Sequence, residues 1–319
     1  MTFVPYRPNI IFKSSHFNTI YPTVFRKSPS IVWDRKRFET PDGDFFDVDF
    51  SAGISDNLVL LLHGLEGNSN SNYIRGMGAV FAEKGWGVGA VNFRGCSGEM
   101  NRTAIAYHSG FTNDLAQLVL WAEMRFRSIV IIGFSLGGNV TLKYLGESGS
   151  QISSKVVGAV AISVPMDLHS SARSLEKPGT FIYRKRFLST LKRKAIARMK
   201  MVELKLNQTR VRKAKTIKEF DDAYTAPVYG FHDVHDYYTK CSSKQFIPGI
   251  EVPTMIMNAR DDTFLGKGCY PKKECSQNPF CTLLTPHYGG HVGFAQFQKG
   301  HYWSEKTAFQ FITSVTREI

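Results

Sequence analysis

No stretch of this chain is apolar for long enough to cross a membrane. Its longest apolar runs, residues 58–62 and 156–164, fall far short of the roughly 18 residues a spanning helix needs. Residues 1–12 hold no charged stretch followed by an apolar one, so no secretory signal is expected and the reading is cytoplasmic. Cysteine is scarce and odd in number, five in 319 residues, which argues against a disulfide framework. Cys269, Cys275 and Cys281 are too widely spaced for the close ligand pairs of structural metal sites, so free thiols in a reducing compartment are expected. There is no internal repeat and no low-complexity tract. Acidic residues are the minority, 27 against 40 basic, for a formal net charge of +13. Such an excess points to an anionic partner but says nothing about fold. What remains is ordinary globular composition, 43% hydrophobic and 21% charged, which excludes disorder and fibres.

The apolar runs define an alternation. Residues 35–39 and 44–50 read as strands joined by the turn Pro41-Asp42-Gly43. Residues 58–62, 88–93, 128–134, 156–164, 254–258 and 282–284 read as further strands, several of them apolar throughout, as strands covered on both faces are. Helices are expected over 73–84, 114–126, 136–146 and 305–318. This is an α/β pattern: a mostly parallel central sheet with helices on both faces. It breaks once. Residues 165–250 turn polar and basic and lose the strand rhythm. The expected organisation is a core of 1–164 (with 1–30 an N-terminal extension) and 251–319, interrupted by a basic helical cap at 165–250. An insertion there would lie over the carboxyl ends of the strands, where ligands bind in such sheets.

Gly133-Phe134-Ser135-Leu136-Gly137 fits the G-x-S-x-G nucleophile elbow, and it follows an apolar strand and opens a helix, as the elbow requires. A serine nucleophile needs a base, and the base an orienting carboxylate, in the order Ser, acid, His along the chain. His291, within Gly289-Gly290-His291-Val292-Gly293, is the preferred base, with His287 and His301 as rivals. Asp261 and Asp262 both follow the strand at 254–258. Asp262 is preferred because one spacer and two apolar residues come after it, and Asp261 stays open. The oxyanion needs backbone N–H donors. Leu136 supplies one, and Leu65, in His63-Gly64-Leu65-Glu66-Gly67, the other. His63 reads as a structural turn histidine and Cys96 as a small residue packed in a tight loop. This chemistry requires no metal or cofactor.

At this level of detail the sequence resembles the YheT-like α/β hydrolases, a family of predicted esterases. The resemblance covers nearly the whole chain. It is carried by His63–Gly67, Asn92-Phe93-Arg94-Gly95-Cys96-Ser97-Gly98-Glu99, Tyr107-His108-Ser109-Gly110 with Asp114, 133–139, Glu219-Phe220-Asp221-Asp222, Asp261-Asp262 and Gly290-His291-Val292-Gly293-Phe294. It implies an α/β-hydrolase fold, a Ser135, Asp262, His291 triad, and activity on carboxylic esters of short or medium acyl chains, including acylglycerols. Thr263 stands where relatives often have proline, which loosens the acid loop without removing its carboxylates. The competing readings are an acyltransferase using the same triad, with an alcohol in place of water, and a non-catalytic binding protein on the same scaffold.

Residues 173–218 hold sixteen Lys and Arg against two acids, Glu176 and Glu203. The rest of the chain is close to neutral. Tyr183, Phe187, Leu188, Leu191, Ala195, Ile196 and Met199 recur at helical spacing and form one apolar face. The expected partner is a small ester or lipid. The basic stretch is a candidate contact with an anionic membrane surface or an anionic acyl substrate, or a cap helix whose basic face is only solvated. No nucleic-acid motif accompanies it.

Overall fold

The computed structural model describes residues 3–297 and 300–316. Eight strands form one sheet: β1 (Asp34–Glu39), β2 (Phe45–Ser51), β3 (Asn57–Leu62), β4 (Gly87–Asn92), β5 (Ser128–Phe134), β6 (Val156–Ile162), β7 (Thr254–Met257) and β8 (Cys281–Leu284). Their spatial order is β1-β2-β4-β3-β5-β6-β7-β8. The β1–β2 hairpin runs antiparallel to its neighbour β4. All later pairings are parallel. The apolar runs explain the centre: in β3 and β5 both faces are covered, so alternation would leave a polar side chain dry. Leu58, Leu60 and Ile131 face one helical layer, and Leu61, Val130 and Ile132 the other.

The first layer is α3 (Asn113–Glu123) and α4 (Leu136–Ser148), through Leu115, Leu118, Val140 and Leu145. The second is α2 (Asn72–Ala82) and α12 (Trp303–Thr316), through Ile74, Met77, Phe311 and Ile312. Arg317 and Glu318 of the predicted closing helix lie outside the described residues.

Sequence periodicity gave no sign of α1 (Ser15–Phe25) in the N-terminal stretch. Its docking is polar and specific. The Asn18 carboxamide oxygen accepts from the Ala295 amide at 2.8 Å. Just beyond α1, Arg26 grips Glu305 with both guanidinium nitrogens, at 2.5 and 2.9 Å.

Between β6 and β7 the chain is helical: α5 (Leu168–Leu175), α6 (Phe181–Met201), α7 (Gln208–Lys213), α8 (Ile217–Phe220), a π-helical turn (Asp221–Thr225), α9 (Ala226–Val228) and α10 (Val234–Cys241). α11 (Lys272–Gln277) lies between β7 and β8. The apolar side of α6 is not one face against the sheet. Leu188, Ala195, Ile196 and Met199 pack on Val211, Phe220 and Tyr224 within the helical segment. Phe187 and Leu191 line a cavity, Leu191 also packing against that cluster, and Tyr183 meets the Phe264 ring edge-on at 4.8 Å. Among the described residues, no helix is long and apolar enough to cross a membrane.

Candidate active site

Ser135 stands between the end of β5 and the start of α4, with φ 51° and ψ −118°. A non-glycine residue held there is strained, and strain of this kind persists only where the surroundings over-determine it. They do so through Gly133 and Gly137. A Cβ on Gly133 would come within 2.3 Å of the Gly137 carbonyl oxygen, and one on Gly137 within 2.4 Å of the Leu62 carbonyl oxygen. The strand, the turn and the helix therefore close on each other only with both side chains absent.

A continuous hydrogen-bonded line runs through the site. His291 Nε2 lies 2.9 Å from Ser135 Oγ, and His291 Nδ1 lies 2.9 Å from Asp262 Oδ2. Asp262 is buried and follows β7; its other oxygen accepts from the Phe264 amide at 2.9 Å. Asp261 points elsewhere and accepts from the Gly290 amide at 3.0 Å. Burial pushes its carboxyl above the usual carboxylate range. His287 is exposed, and His301 pairs with Glu83 at 2.7 Å. His63 is fully buried, with Nε2 accepting from the Phe93 amide at 3.2 Å and Nδ1 2.7 Å from the Gly64 carbonyl. Burial pulls its pKa down to about 4, so it stays neutral. Cys96 is buried beside Lys194 at 3.6 Å, and burial pushes its thiol up to about 11.

The loop after β3 passes directly beside the serine: a Cβ on Gly64 would lie 3.1 Å from Ser135 Cβ. In that loop the Gly64 amide donates to the Tyr73 hydroxyl at 3.0 Å and the Glu66 amide to the Tyr107 hydroxyl at 2.9 Å. Among the described residues, no turn or side-chain acceptor takes the amide of Leu65 between them, or that of Leu136. Leu136 is the first residue of α4, where the helix itself leaves the amide free.

Three groups that sequence reasoning did not single out hold the histidine. Thr19 Oγ1, from α1, accepts from the His291 amide at 2.9 Å. Ser163 Oγ accepts from the Val292 amide at 2.9 Å. The Phe264 ring stacks on the imidazole at 4.1 Å. Above them lies a cavity of about 1150 Å³, counting its open mouth. Its floor includes Leu65, Ser135, Leu136 and His291, and its roof Phe187, Leu191, Arg198, Phe220 and Tyr224. Glu66 of the floor loop pairs with Lys194 of α6 at 2.8 Å, tying the two together. No group of three or more metal-ligating side chains occurs among the described residues.

A strand-ordered sheet, a strained serine on a strand-to-helix turn and a His-acid line define an α/β-type hydrolase scaffold. Comparison with known proteins agrees. Residues 57–277 match the model of the alpha/beta hydrolase fold family. "Putative esterase YheT" of Escherichia coli K12 is 34% identical, over 92% of this chain and 86% of that protein. Phospholipase ABHD3 of Mus musculus is 30% identical, over 91% and 73% of the two chains. Monoacylglycerol lipase of Saccharomyces cerevisiae is 29% identical, over 89% and 64%. The fold of a Pyrococcus furiosus esterase superposes with a TM-score of 0.62 at 18% identity, covering 90% of this chain and 92% of that one. The chain belongs to the YheT-like group of the alpha/beta hydrolase fold family.

Proposed function

We propose that this carboxylic ester hydrolase works through an acyl-enzyme on Ser135, with His291 as general base and acid and Asp262 as its orienting carboxylate. The observation that carries the reading is the paired 2.9 Å contacts of His291 with Ser135 and Asp262. Both are within the reach that proton transfer demands. His291 takes the Ser135 proton as Oγ attacks the ester carbonyl. Asp262 fixes the tautomer that leaves Nε2 free to accept, and stabilises the imidazolium that forms. The amides of Leu65 and Leu136 receive the developing oxyanion. His291 then gives its proton to the leaving alcohol, the acyl group stays on Ser135, and a water deprotonated by the same imidazole releases the acid. The mostly apolar lining of the cavity supports an apolar acyl chain, and the substrates proposed are esters of short or medium acyl chains, acylglycerols among them.

A serine-directed fluorophosphonate should label the wild type at Ser135, and the label should vanish in Ser135→Ala together with ester hydrolysis, by about 10⁶-fold. An unlabelled wild type would leave only a binding protein on a hydrolase scaffold.

A second reading, contact of 173–218 with an anionic membrane, is favoured by one surface. Phe181 and Ile182, 53% and 72% exposed, open α6 immediately before Arg184, Lys185 and Arg186. Apolar insertion beside cations is how a helix lies in a lipid interface. The chain should sediment with phosphatidylserine vesicles and not with phosphatidylcholine vesicles, and should lose that binding in high salt. Equal sedimentation with both, or with neither, removes this reading.

A further inference from the structure

Arg198, on α6, is 5% exposed and lines the cavity above Ser135. The other cations lining that cavity are already held. Arg94 is paired with Asp114 at 2.7 Å and Asp42 at 2.6 Å, and Lys194 with Glu66 at 2.8 Å. Arg198 has no ion pair among the described residues, and its buried Nε makes no hydrogen bond. Beside it is the buried hydroxyl of Tyr224, within reach of Arg198 itself and without another partner among the described residues. Burial raises that phenol's pKa, and the charge of Arg198 and a hydrogen bond with it oppose the rise. Gly95 backs the guanidinium so closely that a Cβ there would lie 2.9 Å from Arg198 Nη2. The carboxyl of Asp221, which lines the same cavity, makes no ion pair with Arg198; its oxygens accept from the hydroxyls of Thr225 at 2.7 Å and Tyr238 at 2.8 Å.

A guanidinium taken out of water without an anion is strongly disfavoured, and such groups are retained where a partner arrives. An arginine with no carboxylate partner and a phenol hydroxyl beside it, in a mostly apolar cavity, suit a planar or tetrahedral oxyanion. An arginine fork suits it especially, since it can bind two oxygens at once. We propose that Arg198 and Tyr224 form a subsite for an anionic group, carboxylate or phosphate, carried by the ester that reaches Ser135. The subsite deepens the acyl-enzyme reading and rests on it for the statement that the ligand is a substrate. It gives the roof of the cavity a role in specificity: it selects among esters by charge, at a point distinct from the reacting carbonyl.

The test is calorimetric titration of the full chain with three probes of one chain length, octyl phosphate, octanoate and octanol. At least one anionic probe should bind the wild type about 10- to 100-fold more tightly than octanol, the worth of a charge-assisted hydrogen-bonded pair. Arg198→Met should remove that excess, Arg198→Lys should keep part of it, and Tyr224→Phe should lower it several-fold. An excess for octyl phosphate alone assigns the subsite to phosphate, and one for octanoate alone to carboxylate. Equal binding of all three probes by the wild type overturns the proposal, as does an excess that survives both Arg198→Met and Tyr224→Phe. Should Arg198→Met fail to fold, Tyr224→Phe and Arg198→Lys decide. None of the probes is an ester, so the outcome does not depend on turnover. An anion excess in a chain that fluorophosphonate does not label would keep the subsite and reject the acyl-enzyme, and the reverse pattern would do the opposite.

Discussion

On the floor of the cavity, the reacting groups are held from several directions. Ser135 contacts His291, His291 contacts Asp262, and the histidine's backbone and ring are held by Thr19 and Phe264. In the roof, Arg198 has no carboxylate partner among the described residues, and the buried Tyr224 hydroxyl has only Arg198 beside it. The two surfaces face the same space but have different polar economies. A floor that must place atoms to within a fraction of an ångström gains from reacting side chains that are bonded to one another, with the Leu65 and Leu136 amides left open for the substrate, because misplacement by about 1 Å costs on the order of 100-fold in rate. A roof that recognises a ligand does better with donors left open, because whatever satisfies them is what binds. The contrast also accounts for the charge. Sixteen of the basic residues fall in 173–218, most of them solvated, and the one that matters for the cavity is the buried one.

The largest expected effect tests whether the floor is as specific as its geometry. Asp261 and Asp262 are adjacent, both lie near His291, and both accept a backbone amide. Only Asp262 reaches the imidazole. Asp262→Asn should lower kcat by about 10⁴-fold, since the neutral side chain no longer favours the tautomer that accepts the Ser135 proton. Asp261→Asn should stay within about tenfold, as it removes only a loop contact. Steady-state hydrolysis of a p-nitrophenyl ester reads both. Comparable losses in the two variants would mean that the loop as a whole, and not one carboxylate, orients the base.

The sequence carried the floor better than the roof, for physical reasons. Strands buried on both faces leave continuous apolar runs, so β3, β5 and β6 are legible within a residue or two of their ends. The elbow is legible because its strain demands glycines at fixed spacing. Asp262 and His291 are legible because chain order and loop glycines narrow the choice. Thr19 is not: it touches His291 from 272 positions away, and nothing local in Ser15–Phe25 announces a contact that only tertiary docking creates. The periodicity of α6 is legible, but not the division of its apolar residues between Val211, Phe220 and Tyr224 on one side and the cavity on the other. Arg198 is hidden for the same reason. Among sixteen cations its type says nothing, and its burial, the property that singles it out, belongs to the packing of α6 and the π-helical turn together.

The smaller effect concerns a buried carboxyl of the roof. Asp221 sits in the π-helical turn, and burial raises its carboxyl from 3.8 to about 6 while two hydroxyls oppose the rise. Below about pH 4 the folded and unfolded chains both hold this proton, so it contributes nothing to the pH dependence. Between about pH 4 and 6 the folded chain keeps a proton that the unfolded chain gives up, so stability falls as pH rises. Above pH 6 the cost is complete, at most about 3 kcal/mol for a shift of this size. Asparagine has nearly the same shape and carries no charge at any pH. The Thr225 hydroxyl still finds its carbonyl oxygen, and the Tyr238 hydroxyl can turn to accept from its amide. Asp221→Asn should therefore match the wild type in urea unfolding at pH 4 and exceed it by about 1–2 kcal/mol at pH 7.5. A difference that does not grow with pH would show that Asp221 has a counterion in the folded chain. Arg198 would then be the first candidate for that counterion, and the roof would be as internally satisfied as the floor.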